Sequence, residues 1–370
     1  MPRRSFLAVF ASILALGMFT PGPSLAGDQA GAVFTMSNGA SRNRVVAWSR
    51  GSDGSLTAAG KVDTGGRGSG GGLSNQGALF LTPNGRWLYV VNPGSDDVSV
   101  FRVDGTSLVL TDRTASHGDR PISVTADGGL VYVLNAGGSG GIRSFLRSPG
   151  GELDFISGSG RPLSGSSTDP AQVGFTPDGS RLVVTEKDSD RIGIYPVGGD
   201  GRAGAPAFRS SEGAEPFGFD FAPDGTLVTS EAGNHVEDVS FASSYRFGPG
   251  GDLQTVSGAV STTETAACWT VVTPDGRFAY VTNTPDDSIS GFGLADDGAL
   301  TMLDANGVTA ATGAGSLPLD LDSSADSRFL YVLMAGTDAI RVYEIGSDGS
   351  LAARPGVTGL PGAANGLAAR

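Results

Sequence analysis

The chain has a single cysteine, Cys268, among 370 residues, so no disulfide can form within it. Its two histidines, His117 and His235, are too few, even with that cysteine, for the usual zinc sites. Charge is scarce: 17% of residues carry it, against about 25% in an ordinary globular chain. What charge there is leans negative, with a net value of −13. Such a surface repels nucleic-acid phosphates and anionic lipid, which makes both poor partners. Beyond the first 26 residues, no segment has the length and apolarity of a membrane-spanning helix, about 20 residues.

Those first residues have a different layout. Arg3-Arg4, the apolar stretch from Phe6 to Phe19 and the small residues of Ser24-Leu25-Ala26 read as a secretory signal peptide, residues 1–26. Arg3-Arg4-Ser5-Phe6-Leu7 also resembles a twin-arginine export signal. Cleavage after Ala26 is expected, with the exported protein starting at Gly27. Arg3 and Arg4 are the only charges of the leader, so its loss deepens the net charge from −13 to −15.

What is abundant is glycine, 59 residues spread along the whole chain. With few charges and many valines, that composition predicts short strands and tight turns. A unit then recurs. Pro83-Asn84-Gly85 leads into Trp87-Leu88-Tyr89-Val90-Val91-Asn92, and the pattern returns at Ala126-Asp127-Gly128, Pro177-Asp178-Gly179, Pro223-Asp224-Gly225, Pro274-Asp275-Gly276 and Ala325-Asp326-Ser327. Pro presets the turn, Asp or Asn accepts local hydrogen bonds, and Gly takes the left-handed position, so each copy predicts a hairpin.

A second half follows each hairpin. An aromatic recurs at Trp48, Phe101, Phe145, Tyr195, Tyr245, Phe292 and Tyr343, each three residues after an apolar one: Val45, Val98, Ile142, Ile192, Ala242, Ile289 and Ile340. Positions three apart on a strand face opposite sides, so this strand is apolar on both faces and must lie between two other sheets. Four strands per unit and seven units predict an all-β, seven-bladed β-propeller spanning residues 27–370 as one domain. The first unit lacks an inner strand, and Asn365-Gly366-Leu367-Ala368 supplies one, closing the ring and leaving no open edge.

The hairpin turns lie on one face of such a ring. The opposite face receives the irregular segments 65–75, 158–169, 255–267 and 304–316, and binding residues favour such loops. His117 and His235 fall there, and either could serve as a general base. Asn92, Asn135, Glu186, Glu231 and Asn283 end second strands around the central opening. The asparagines read first as strand caps, with substrate ligation as the alternative. Arg120 begins an inner strand, where it could hold a carbonyl oxygen, and Cys268-Trp269 begins another, the thiol reading as buried and structural and Trp269 as a candidate binding surface. Arg120, Glu186, Glu231 and His235 are expected to converge beside the channel as cation, acids and base. Gly137-Gly138-Ser139-Gly140-Gly141 matches G-x-S-x-G but joins two strands, so it is not a nucleophile elbow. Asp96-Asp97, Asp188-Ser189-Asp190 and Asp286-Asp287 recur at one place in the repeat, which points to turn chemistry. No cofactor is expected.

These residues resemble the seven-bladed lactonase family, which groups 6-phosphogluconolactonases with carboxymuconate-cyclizing enzymes. Tyr280-Val281-Thr282-Asn283 also spells the signature of the YVTN surface propellers, and Leu134-Asn135-Ala136-Gly137-Gly138, Gly213-Ala214-Glu215-Pro216-Phe217-Gly218-Phe219 and Ala267-Cys268-Trp269 resemble an exported branch. The resemblance implies a hydrolase using general-base attack of water on a lactone carbonyl. The phosphogluconolactonases carry His, and elsewhere Arg-His, at inner-strand starts, where this chain has Asp119-Arg120-Pro121 and Pro170-Ala171-Gln172. Glu186 and Lys187 likewise stand where the family has Asn and Glu. With export, these departures imply an unphosphorylated lactone or related ester. The alternative is a non-catalytic propeller that binds an extracellular polymer or protein. A monomer is expected in either case.

Overall fold

A computed structural model describes residues 29–370; the leader and the expected start at Gly27 lie outside the described residues. Seven antiparallel sheets form the blades of a β-propeller. Counting from the inner strand outward, blade 1 is Asn365–Ala369, Gln29–Met36, Arg44–Gly51 and Leu56–Asp63. Blade 2 is Leu79–Leu81, Trp87–Asn92, Asp97–Asp104 and Ser107–Ala115, and blade 3 is Pro121–Asp127, Leu130–Asn135, Gly141–Arg147 and Leu153–Phe155. Blade 4 is Pro170–Phe175, Arg181–Glu186, Arg191–Pro196 and Ala207–Ser210, and blade 5 is Pro216–Phe221, Leu227–Glu231, Phe241–Phe247 and Leu253–Ser261. Blade 6 is Ala267–Val272, Phe278–Asn283, Ser288–Leu294 and Leu300–Met302, with Ala310–Ala311 added beside its third strand. Blade 7 is Pro318–Ser323, Phe329–Met334, Ala339–Ile345 and Leu351–Thr358.

The turns form as their residues dictate. The Gly85, Gly179 and Gly276 amides donate to Thr82, Thr176 and Thr273 carbonyls at 2.7–2.8 Å, and the threonine hydroxyls donate to the turn Asn or Asp. Both members of each apolar pair on the third strands, Val98 and Phe101 for example, are buried. The second-strand tyrosines tie blade to blade. Tyr132, Tyr280 and Tyr331 hydroxyls donate to the carbonyls of Gly201, Gly349 and Gly54 in the following blade, at 3.0, 2.8 and 3.2 Å. Those glycines turn at positive φ, 75°, 86° and 81°, and so present the carbonyl inward.

Ring closure follows the expected route. Asn365–Ala369 pairs with Gln29–Met36, and two aspartates of blade 7, the buried Asp320 and the half-buried Asp322, hold the closing strand from the other side. Asp320 and Asp322 accept the Leu367 and Ala369 amides at 3.2 and 2.7 Å. Burial pushes the Asp322 carboxyl up to about 7, and the Asp220 carboxyl, which accepts the Val272 amide, up to about 6.

One boundary differs from expectation. Thr255–Ser261 is not loop but the far half of an outer strand, because it pairs along Phe241–Phe247. Among the described residues, no helix is long and apolar enough to cross a membrane.

Candidate functional site

The central channel is closed at the loop end by a crossbar of chain, Ser74-Asn75-Gln76, entering blade 2. The Gln76 amide donates to Ala171 of blade 4 at 3.1 Å, and its side chain exchanges two hydrogen bonds with the Thr270 backbone of blade 6, at 2.6 and 2.9 Å. The Trp269 indole N–H donates to the Asn75 carbonyl at 2.7 Å. Blade 6 lies across the ring from blade 2, so its bonds to Gln76 cross the centre. Lys187, its side chain only 2% exposed, fixes the near end: Nζ donates to the Ser74 carbonyl and hydroxyl at 2.7 and 2.9 Å. The loop end is therefore a floored mouth and not an open pore.

Around that mouth the residue preceding each inner strand from blade 3 to blade 7 has a left-handed backbone: Arg120 (φ 52°), Asp169 (37°), Glu215 (59°), Ala266 (53°) and Leu317 (48°). Residues with a Cβ take this conformation only when their surroundings impose it. Four of the five precede proline, which supplies no amide donor at the next position. The chain there turns sharply, and the side chain before the proline is thrown to the rim. Blades 3, 4 and 5 place charge on that rim, whereas blades 6 and 7 place Ala266 and Leu317.

The charged arc is connected. Asp169 pairs with Lys187 Nζ at 2.9 Å and lies 3.8 Å from the Arg120 guanidinium, which is 51% exposed. Lys187 also sits 5.0 Å over the Phe217 ring, and Phe217 packs against Trp269 with centroids 4.9 Å apart. Glu215 Oε1 lies 3.0 Å from His235 Nε2; the carboxylate is 14% exposed and the imidazole 62%. The second carboxylate oxygen, Glu215 Oε2, is buried without a hydrogen-bond partner. Burial, and after it the Glu215 charge, pushes the nearby Cys268 thiol up, which leaves it an inert packing group.

The expected convergence of four residues is therefore corrected. Arg120 and His235 do reach the mouth, but their carboxylate partners are Asp169 and Glu215. Glu186 turns back into its own blade, accepting the Ser164 amide at 3.0 Å, the Ser189 hydroxyl at 2.9 Å and the Ser164 hydroxyl. Glu231 is likewise consumed by Ser243 and Tyr245, at 2.8 and 3.2 Å. A strand-end side chain alternates toward a neighbouring sheet, not toward the axis, and buried acceptors there must be satisfied. His117 leaves the mouth as well: its ring stacks on Phe155 of the outer strand with centroids 3.7 Å apart, because Phe155 and Phe145 offer it an apolar shelf.

The asparagines hold strand ends. Asn92 donates to Asp97 and Ser99 at 2.7 and 2.8 Å, Asn283 to Ser288 and Ser290 at 3.0 and 2.9 Å, and Asn135 to the Ser116 carbonyl at 3.4 Å. Trp269 is buried and serves as floor. Asp169, Lys187 and Glu215 were missed as site residues, although a signal existed: a charged residue before proline at inner-strand starts, in Arg120-Pro121, Asp169-Pro170 and Glu215-Pro216.

Beside Asp169 the rim opens into a depression of about 290 Å³ lined by Gly138, Ser139, Leu163, Ser166, Thr168 and Asp188, among others. Larger grooves are one of about 740 Å³ at the loop end of blade 1, lined by Ser37, Arg42, Gly70 and Pro361 among others, and one of about 670 Å³ among the hairpin turns of blades 4 and 5. No group of three or more His, Cys, Asp or Glu side chains among the described residues is placed to hold a metal ion.

The family described as "Lactonase, 7-bladed beta-propeller" matches residues 39–159 and 156–360. Among solved structures, a Lactobacillus plantarum protein is similar at 21% identity and TM-score 0.74, covering 92% of this chain and 98% of its own. A putative 6-phosphogluconolactonase from Bacteroides uniformis is similar at 17% and 0.70, covering 90% and 98%. The periplasmic gluconolactonase of Pseudomonas aeruginosa is similar at 18% and 0.68, covering 91% and 99%. No curated protein matches the sequence.

Proposed function

Because the chain belongs to the lactonase family of seven-bladed β-propellers, we propose that it is a lactonase-type hydrolase whose site is the charged rim of blades 3 to 5. The observation that carries this is the Glu215–His235 pair on the arc that also presents Arg120. The pair is the base: as water attacks the carbonyl carbon, its proton passes to the exposed His235 imidazole, which Glu215 holds and orients. Arg120 stabilises the oxygen that becomes negative. The ring C–O bond then breaks, and the same pair returns the proton to the leaving alkoxide.

The substrate we propose is an unphosphorylated lactone or related ester. The depression beside Asp169 offers hydroxyl groups of Ser139, Ser166, Ser167 and Thr168, which suit a polyhydroxylated ring, while Asp169 and Asp188 repel a phosphate. We also propose that the protein works outside the cytoplasm as a monomer, acting on a small molecule and not on nucleic acid or within a membrane. The layout of residues 1–26 supports export, and a structurally similar relative is described as periplasmic.

The test is hydrolysis of a panel of phosphorylated and unphosphorylated lactones by the purified protein. Turnover of an unphosphorylated member, lowered about 100-fold in Glu215→Gln, is the expected result. No turnover of any lactone would shift the reading to a binding propeller.

A further inference from the structure

Three of the five left-handed rim residues are held by the same device. The aspartate closing the second-to-third-strand turn of one blade accepts, through Oδ1, the amide of the residue that opens the inner strand of the next. Asp96 of blade 2 takes the Arg120 amide, Asp190 of blade 4 takes the Glu215 amide, and Asp287 of blade 6 takes the Leu317 amide, each at 2.7 Å. The three aspartates are themselves left-handed, with φ of 55°, 51° and 51°. Each also accepts a second amide on its backbone carbonyl, from Ser116, Ser211 and Thr312, at 2.9, 3.0 and 2.7 Å. The connection between blades is thus clamped at two points, and the residue at its end is forced into the strained turn.

Two of these clamps end on groups with chemistry and the third does not. From this we propose, building on the hydrolase reading above, that Asp190 and Asp96 are positioning residues. Asp190 sets Glu215, the carboxylate that orients the base His235, and Asp96 sets the oxyanion-binding Arg120. Neither aspartate touches the substrate. Asp287, the same device ending on Leu317, is a control supplied by the fold. Preorganisation of this kind matters because a donor or base displaced by about 1 Å loses much of its effect on the transition state.

The test compares Asp190→Ala, Asp96→Ala and Asp287→Ala, with Asp190→Asn as the conservative variant, since its side-chain oxygen still accepts the Glu215 amide. All three alanine variants should melt lower, Asp287→Ala furthest because Asp287 also accepts the Gly315 amide and the Ser316 hydroxyl. Asp190→Ala should lose about 30-fold or more in kcat with KM within about threefold, and Asp190→Asn should recover most of it. Asp96→Ala should lower kcat/KM by about tenfold. Asp287→Ala should change neither constant by more than about twofold. The proposal is overturned if Asp190→Ala and Asp287→Ala affect turnover equally, or if Asp190→Ala melts lower and keeps its kcat.

A second readout needs no substrate. The chain has only two histidines, so the His235 ring resonances can be assigned with a His117→Gln variant. Asp190→Ala should shift them through Glu215, and Asp287→Ala should leave them in place. If no lactone is turned over, the hydrolase reading fails, and the positioning of Glu215 is still decided by whether the His235 signals move.

Discussion

Blades 4 and 5 each carry two acids side by side at the loop end, and the two do opposite work. In blade 4 they are Asp169 and Glu186, in blade 5 Glu215 and Glu231. The proline after the first acid pairs in register with the second, Pro170 with Glu186 and Pro216 with Glu231. Glu186 and Glu231 have both carboxylate oxygens occupied by their own blade or its loops. Asp169 faces Arg120 and Lys187 at the mouth and Glu215 faces His235, and Glu215 keeps one oxygen unpartnered. Adjacent acids of identical chemistry are thus divided into scaffold and site by one feature, the left-handed turn that throws the inner-strand residue to the rim. Acidity and position along the repeat do not distinguish them; the fate of their hydrogen bonds does.

The largest effect that would break this division is on stability. Glu231→Ala leaves the Ser243 and Tyr245 hydroxyls without their buried acceptor and should cost roughly 3 kcal/mol in chemical denaturation. A Glu231→Ala protein that unfolds like the native one but has lost activity would move Glu231 from scaffold to site.

Next comes activity. Glu215→Gln should lower kcat by about 100-fold while changing stability by no more than about 0.5 kcal/mol. A large loss of stability there would make Glu215 another scaffold acid.

A smaller effect sharpens the contrast through pH. Burial raises the Glu231 carboxyl above its ordinary 4.5, against the bonds from Gly213, Ser243 and Tyr245. The folded protein therefore holds this proton more tightly than the unfolded chain. The stability it adds is complete below about 4.5 and is lost as pH rises through the raised folded value. Asp220 and Asp322 act with the same sign, up to about 6 and about 7. Denaturation midpoints should accordingly fall between pH 4.5 and pH 7, and Glu231→Gln should make that fall shallower. A midpoint that rises over this range would contradict it.

The smallest effect concerns Arg120. Arg120→Lys keeps the charge but loses the planar fork, so kcat should fall only a few-fold, at unchanged melting temperature. No change in any kinetic constant would remove Arg120 from the site.

Much of the fold was legible because it is written in local chemistry repeated along the chain. Pro-Asp-Gly turns, apolar pairs three apart on the third strands and a spare strand at the C-terminus each follow from residues within a few positions of one another. Of the site, Arg120 and His235 were legible as charged groups on the correct face. Their partners were not, since Asp169 and Glu215 looked like ordinary loop acids while Glu186 and Glu231 looked conspicuous at strand ends. The recurring turn aspartates were legible as turn chemistry, and Asp96, Asp190 and Asp287 perform it, but the amides they reach lie in the next blade.

By itself, then, the sequence determined the blade, the count of seven and the way the ring closes, because backbone propensity and burial period act over short stretches of chain. Only the tertiary structure decided which acids face the mouth and that the mouth has a floor. Gln76 and Thr270 meet across 194 positions of sequence, and Asp190 sets Glu215 from the far side of a blade boundary. Contacts of that kind have no local signature, since their geometry exists only once the ring has closed.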